Sequence, residues 1–128
     1  MATVPRISRE ELKRRLDERT GAPPLLIDVR LKYPYEHSTI TLPGALRMGP
    51  GSTRDDAGAA LPCDRDLILY DSDPDELVAE HAAARLIARG CRAFVLQGGI
   101  GAWAAAKLPT DTKPAPQLAV PVTAAMKR

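Results

Sequence analysis

The fold of this chain is decided by the stretch Leu67-Ile68-Leu69-Tyr70-Asp71-Ser72-Asp73-Pro74-Asp75-Glu76. It opens with an apolar run that is typical of a short buried strand. The rest of it carries four carboxylates and no basic group, and a helical pattern follows. In open α/β sheets, ligands bind where a strand ends and the chain passes into a helix N-terminus. We therefore expect the function of the chain to depend on this loop.

The sequence before this stretch predicts one helix and short strands. Ser8 with Glu11 is a capping box at the start of a first helix. Residues 25–29 form a nearly continuous apolar run, which suits a strand covered on both faces, as parallel sheets require. Residues 43–48 predict a turn into a short strand, and residues 49–62 predict a loop. Parallel strands need helical connections, so this half favours an α/β arrangement.

The sequence after the stretch continues the alternation. Apolar residues from Leu77 to Ile87 recur at helical spacing, and Gly90 is well placed just beyond the helix end. Residues 93–96 predict another buried strand. A glycine pair then turns the chain into a helix whose Trp103 is expected to pack against the domain. We predict an α/β fold with a central, mostly parallel sheet flanked by helices.

Composition limits the classes of function. The chain has 128 residues, which suggests a single domain. Its 18 Lys and Arg residues against 16 Asp and Glu residues give a net charge of +2, and the basic residues are scattered. With three Tyr, one Trp and one Phe, it also lacks a set of aromatic side chains for stacking bases. Nucleic acid is therefore not an expected partner.

The two cysteines, Cys63 and Cys91, are too few for a disulfide scaffold and have no Cys or His at metal-ligand spacing. We expect unpaired thiols in a reduced, cytoplasmic setting, with no metal and no cofactor. Both cysteines precede predicted strands, which places them at the sheet edge opposite the acidic loop. No apolar run approaches the roughly 20 residues that span a bilayer, so no membrane span is expected.

The end of the chain is rich in proline. From Pro109 onwards, prolines are spaced through polar and small apolar residues. We expect a single domain over residues 1–112 and a flexible tail over residues 113–128.

Several motifs, in this order and spacing, resemble the rhodanese-like domains. The resemblance covers about residues 7 to 109 and implies a three-layer fold of helices on both faces of the sheet. The motifs are Leu26-Ile27-Asp28-Val29-Arg30, Tyr35-Glu36-His37, Leu42-Pro43-Gly44-Ala45, Leu67-Ile68-Leu69-Tyr70 and Leu96-Gln97-Gly98-Gly99-Ile100-Gly101-Ala102-Trp103.

The resemblance implies a sulfurtransferase, in which a loop cysteine carries a sulfane sulfur. A subset of the family has Cys-x-Cys-Pro-Asn-Glu after the strand, and this pattern aligns with residues 71–76 without a gap. Asp71 then stands in the nucleophile's place, Asp73 replaces the second cysteine and Asp75 replaces the asparagine. Thr41 likewise stands where the family has a histidine. A carboxylate cannot form a persulfide, so the resemblance implies a degenerate site with no intact catalytic residue.

The predicted binding residues are the loop side chains and one arginine, namely Asp71, Ser72, Asp73, Pro74, Asp75, Glu76 and Arg30. Local helix chemistry predicts Asp73 as N-cap, Pro74 at the first helical position and Glu76 as the capping-box partner of Asp73. Asp71 is hypothesised to place its carboxylate on the N–H groups that would hold a thiolate.

Arg30 and Asp28 resemble the structural Asp-x-Arg pair of the family. Hydrogen bonds between them would fix the end of the strand. The alternative is that Arg30 faces the pocket.

We expect a non-catalytic binding or regulatory module. It would contact an unknown protein or small ligand through the loop after the fourth strand. One alternative is sulfur transfer by an unusual route, through Cys63 or Cys91. A second is an Asp-based, Mg²⁺-dependent phosphatase-like activity, because an apolar strand followed by Asp71-Ser72-Asp73 resembles haloacid dehalogenase-type phosphatases.

Overall fold

A computed structural model describes residues 4–18, 23–49, 61–72 and 76–113. The strands are β1 (Arg6–Ile7), β2 (Leu25–Asp28), β3 (Ile40–Thr41), β4 (Leu46–Arg47), β5 (Leu67–Tyr70), β6 (Ala93–Leu96) and β7 (Asp111–Thr112). The helices are α1 (Arg9–Asp17), α2 (Lys32–His37), α3 (Leu77–Ala88) and α4 (Gly99–Ala105).

A five-stranded sheet in the order β1-β6-β5-β2-β4 forms the centre of the molecule. All neighbouring strands in it are parallel, and β3 and β7 form a separate antiparallel pair. The predicted α/β fold with a central, mostly parallel sheet is confirmed. The acidic loop follows the fifth strand rather than the fourth, because a two-residue strand such as β1 is too short to give a sequence pattern.

Side chains alternate between the two faces of the sheet, so both faces are buried. Leu67 and Leu69 of β5 belong to the apolar cluster that α3 covers. Ile68 and Tyr70 belong to the opposite cluster, together with Trp103 of α4. Trp103 is fully buried, so its predicted packing against the domain is confirmed. Its Nε1–H donates to Pro109 O over 2.7 Å. The domain therefore has three layers.

Only half of the predicted capping box at α1 is formed. Ser8 Oγ accepts a hydrogen bond from the Glu11 backbone N–H over 3.1 Å. The Glu11 carboxylate instead accepts from Arg14 Nε over 3.1 Å. An ion pair one turn along the helix has replaced the return bond of the box.

Helix α3 begins at Leu77 and ends in a Schellman motif. Leu77, predicted on the apolar face, is 48% exposed, and the buried face starts at Ala79. Gly90 has φ +94° and its N–H donates to Ile87 O, while the Cys91 N–H donates to Leu86 O. The predicted end of the helix is confirmed, because glycine takes this left-handed position without strain.

Cys63 and Cys91 form a disulfide with a Cα–Cα distance of 4.7 Å. The prediction of unpaired thiols is therefore wrong. The cysteines lie ahead of β5 and β6, which are adjacent parallel strands with Leu67 opposite Ala93. The fold thus brings together two residues that are 28 apart in sequence, which sequence spacing does not reveal.

The last described residue is held by the domain. Lys113, the first residue of the predicted tail over residues 113–128, donates its N–H to Thr39 O over 2.8 Å. The rest of that tail lies outside the described residues. Within the described ranges, no helix is long and apolar enough to cross a membrane.

The carboxyl end of the sheet is held by a buried polar network around Asp28. Arg30 Nη2 donates to Asp28 Oδ2 over 2.6 Å. The Tyr70 hydroxyl donates to the same oxygen over 2.9 Å and accepts from the Leu42 N–H over 3.1 Å. Burial and the Asp28 charge raise the pKa of Tyr70, so its hydroxyl keeps the proton that it donates.

The Tyr70→Phe variant tests this network. We expect the free energy of unfolding to fall by about 1–3 kcal/mol, because the buried Leu42 N–H loses its acceptor and Asp28 loses a donor. The control is Tyr33→Phe, since Tyr33 is 65% exposed. Urea denaturation measures both. Equal stabilities of the two variants would contradict the role of the network.

Helix α4 starts against the chain that follows β5. The Ile100 N–H donates to Asp71 O over 3.0 Å. Gly99, at φ +60°, leaves so little room that a Cβ would lie 2.2 Å from Asp71 O. Only glycine fits there, because both the backbone conformation and the close approach exclude a side chain.

Gly99→Ala and Gly101→Ala form a matched pair of variants. We expect Gly99→Ala to lower the free energy of unfolding by more than about 1 kcal/mol, because the Cβ clashes with backbone at a positive φ. Gly101 has open space around it, so Gly101→Ala should be neutral or stabilising by up to about 1 kcal/mol. Thermal and urea unfolding measure both. A Gly99→Ala protein as stable as Gly101→Ala would contradict the close approach.

Candidate functional site

Asp71 lies directly after β5 and is buried, with 1% of its surface exposed. Its Oδ2 accepts a hydrogen bond of 2.7 Å from the backbone N–H of Ala79, the third residue of α3. The first N–H groups of a helix have no partner within the helix and carry the positive end of its dipole. The carboxylate therefore accepts one of these N–H groups at the start of α3.

Glu76 closes the loop in a way that differs from the prediction. It is the N-cap of α3 in a left-handed conformation, φ 63°, and makes no side-chain cap bond. The predicted capping box of Asp73 and Glu76 is therefore wrong, because Glu76 does not lie within the helix. Its carboxylate is used instead in contacts with other parts of the fold. Asp73, Pro74 and Asp75 lie outside the described residues.

Two other parts of the fold meet on the Glu76 carboxylate. Its Oε2 accepts from the Gly98 N–H over 2.7 Å, and its Oε1 accepts from Arg6 Nε over 2.8 Å. Arg6 also donates to Glu80 over 2.7 Å, and its bonds to Glu80 and Glu76 raise the pKa of its guanidinium. The exit of the loop is thereby tied to β1 and to the turn before α4. The left-handed conformation of Glu76 is unfavourable for a residue other than glycine, and the contacts of its carboxylate stabilise it.

Sequence reasoning missed Arg6 and Gly98 as partners of the loop. Arg6 lies 70 residues away from Glu76 in the chain, and no local pattern marks the pair. A signal for Gly98 existed only in the Gly98-Gly99 pair, which indicated a turn and not a hydrogen-bond donor to the loop.

Arg30 points into the domain. Its side chain is 2% exposed, and it contacts Asp28 through both Nε and Nη2. Nη2 also donates to Ile40 O over 3.0 Å. All of these contacts hold the end of β2, so the geometry favours the structural role of the Asp28 and Arg30 pair over a position facing a ligand.

Ser72 is the exposed residue of the described part of the loop. It follows the buried Asp71 and precedes the undescribed residues 73–75. The described loop thus presents one small hydroxyl side chain to solvent and keeps its carboxylates at positions 71 and 76 engaged within the domain.

A cavity of about 350 Å³ lies beside the network at the carboxyl edge. Its charged side chains are Asp28, Arg47 and Asp111. Arg47 Nη1 donates to Arg30 O over 2.6 Å. The Arg47 guanidinium stacks over the Tyr35 ring at 4.0 Å, and the Lys113 ammonium lies 4.2 Å from the same ring. The cavity is lined by Asp28, Tyr35, Thr41, Gly44, Ala45, Arg47, Asp111 and Thr112. Of these residues, Thr41 alone was expected from the sequence to stand at a position that differs from the family's pattern.

The chemistry available at this edge is restricted. Both cysteines of the chain lie at the opposite edge and are joined to each other. Within the described ranges, no group of three or more His, Cys, Asp and Glu side chains could hold a metal ion. Asp71 is buried and hydrogen-bonded, so it presents no free carboxylate to an incoming substrate.

Comparisons with known proteins agree with this architecture. A full-length protein from Lactobacillus plantarum has a TM-score of 0.74 at 22% identity, with 84% of this chain and 88% of that chain covered. The rhodanese-like domain of an Anabaena protein has a TM-score of 0.67 at 25% identity, with 97% and 95% covered. A thiosulfate sulfurtransferase from Pseudomonas aeruginosa has a TM-score of 0.66 at 24% identity.

The last likeness covers 85% of this chain but 19% of the Pseudomonas protein, so this chain corresponds to a fraction of that enzyme. No functionally curated protein matches this sequence. The sequence profile of the family described as rhodanese-like domain matches residues 8–106, which is most of the chain. The chain belongs to the rhodanese-like domain family.

Proposed function

We propose that this protein is a rhodanese-like domain in which Asp71 replaces the nucleophilic cysteine, and that it acts as a non-catalytic binding or regulatory module. One observation carries the proposal: the Asp71 carboxylate is buried directly after β5 and accepts the Ala79 N–H at the start of α3. A thiolate at this position would be held by the same N–H group.

A carboxylate can take the place of an anion at a helix start, but it cannot transfer sulfur. A persulfide forms when a thiolate sulfur attacks a sulfane sulfur and displaces the remainder of the donor. A carboxylate oxygen forms no stable equivalent of that S–S bond. The negative charge of Asp71 also disfavours a second anion, such as thiosulfate, at the same helix N-terminus. Both effects support a domain that keeps the rhodanese-like fold and lacks sulfur transfer at Asp71.

The same burial argues against the phosphatase-like alternative. An aspartate nucleophile must reach a phosphorus atom with an oxygen, whereas Asp71 is 1% exposed and bonded to Ala79. The sulfurtransferase alternative needs Cys63 or Cys91, which are joined in a disulfide at the far edge of the sheet. Both alternatives therefore have less support than a binding role.

The partner would contact the outer surface of the loop. Ser72 is exposed, and Leu77, the first residue of α3, is 48% exposed. The scattered basic residues do not form a surface for nucleic acid. We therefore propose a protein or a small ligand as the partner at this loop, which follows β5.

The Asp71→Ala variant tests whether the carboxylate satisfies the helix start. We expect a loss of about 1–3 kcal/mol in the free energy of unfolding, because the Ala79 N–H is left buried without its acceptor. Asp64→Ala is the control, because Asp64 is an exposed aspartate. Urea denaturation measures both. A stability of Asp71→Ala equal to or above wild type would show that the carboxylate is not a stabilising anion.

Sulfur transfer from thiosulfate to cyanide tests the proposed loss of catalysis. We expect no thiocyanate above background from the wild-type protein. The Asp71→Cys variant should gain activity, because the Ala79 N–H that holds the carboxylate would lower the pKa of a thiol there. Asp71→Ser is the matched control, since it has a similar size and no sulfur.

Activity of the wild-type protein itself would overturn the proposal. Its loss in a Cys63→Ser, Cys91→Ser double variant would then assign it to those cysteines. An inactive wild type with an inactive but folded Asp71→Cys variant would contradict the claim that the nucleophile alone has been exchanged.

A further inference from the structure

The Cys63–Cys91 disulfide joins an exposed residue to a buried one. Cys63 lies in an exposed segment, whereas Cys91 is 5% exposed and belongs to the apolar cluster beneath α3. Of the two residues, Cys63 is therefore the one that a thiol from solvent approaches more readily. Exchange between thiols and disulfides depends on which sulfur an attacking thiolate can reach.

The backbone around Cys91 has contacts of its own besides the disulfide. Its N–H donates to Leu86 O over 3.1 Å as part of the Schellman motif that ends α3. It is followed by Arg92, whose Nε lies 2.7 Å from Asp66 Oδ1. These contacts, which are separate from the disulfide, fix the backbone on either side of Cys91.

The disulfide closes a loop of chain that carries the candidate site. The two cysteines are 28 residues apart, and the chain between them contains β5, Asp71 and α3. The bond therefore connects the start of β5 to the end of α3. A covalent link across such a unit restricts the states that the unit reaches when it opens.

We propose that Cys63–Cys91 is a thiol-exchange site whose redox state sets the local stability of the unit from β5 to α3. The co-reactant is a dithiol. Its first thiolate attacks Cys63 Sγ, forming a mixed disulfide and releasing Cys91 as a thiolate that takes up a proton. Its second thiolate attacks the first sulfur of the dithiol, which releases Cys63. The dithiol leaves as a disulfide, having given two electrons.

Reduction has a localised consequence in this geometry. Strand β5 stays paired with β2 and β6, and the Asp71 bond to Ala79 is at the other end of α3. The segment before β5 loses its link to the end of α3, so opening is favoured at that end. The inference does not depend on whether Asp71 lacks catalytic activity.

Thiol counting and unfolding test the proposal on the full chain. Under denaturing conditions, the oxidised protein should show no free thiols, and the protein treated natively with dithiothreitol should show two. Reduction should lower Tm by about 10 °C and speed amide hydrogen exchange in residues 61–66 and 86–92. Exchange in β2 should change least. The Cys63→Ser variant should show no change of Tm with dithiothreitol.

A matched pair of single variants tests which sulfur is attacked. In Cys91→Ser, the remaining Cys63 should form a mixed disulfide with oxidised glutathione, detected by mass. In Cys63→Ser, the buried Cys91 should react at least tenfold more slowly.

Several outcomes would overturn the proposal. They are two free thiols after treatment with an oxidant, a bond that dithiothreitol reduces only in denaturant, an unchanged Tm on reduction, and faster modification of Cys91 than of Cys63.

Discussion

The Asp28 carboxylate is the constraint on which the carboxyl edge of this domain depends. It is 1% exposed and accepts from the Arg30 side chain and from the Tyr70 hydroxyl. A buried charge is costly unless a counter-charge and hydrogen bonds satisfy it. The Arg30 guanidinium and the Tyr70 hydroxyl do so here. Arg30 follows β2, and Tyr70 is the last residue of the adjacent strand β5. The Asp28 carboxylate thereby holds the carboxyl ends of β2 and β5 side by side, with Asp28 opposite Tyr70. This fixes the position of Asp71, the residue after Tyr70.

The domain thus has two buried carboxylates close in sequence to the ends of β2 and β5, but they are stabilised differently. Asp28 pairs with a guanidinium. Asp71 uses the backbone N–H of Ala79 at the start of α3, a donor whose position does not depend on any side chain. A backbone N–H at a helix start can donate to any small anionic group placed there. A scaffold can therefore exchange one anionic residue for another at this position and keep its fold, while the chemistry changes completely.

The sequence predicted those features that depend on local pattern. Strand β5, the end of α3 at Gly90 and the burial of Trp103 follow from apolar periodicity and backbone preference. The predicted start of α3 was wrong, because the Glu76 carboxylate accepts hydrogen bonds from Arg6 and Gly98 and does not form a local cap. The Cys63–Cys91 disulfide was also missed. Like the contact between Arg6 and Glu76, it joins residues far apart in the chain. Local propensity cannot predict a contact between residues that are far apart in the sequence.

The directions of the loop side chains limit how a partner can bind. Asp71 and Glu76 have their carboxylates engaged inside the domain or against its neighbouring strands. The groups left facing solvent in the described part of this region are the Ser72 side chain and the first residue of α3, Leu77, at 48% exposure. A ligand that needs a buried positive pocket finds the helix start already occupied by a carboxylate. In the described part of the loop, a small hydroxyl and an apolar side chain would offer the proposed partner contact by shape and by burial of apolar surface.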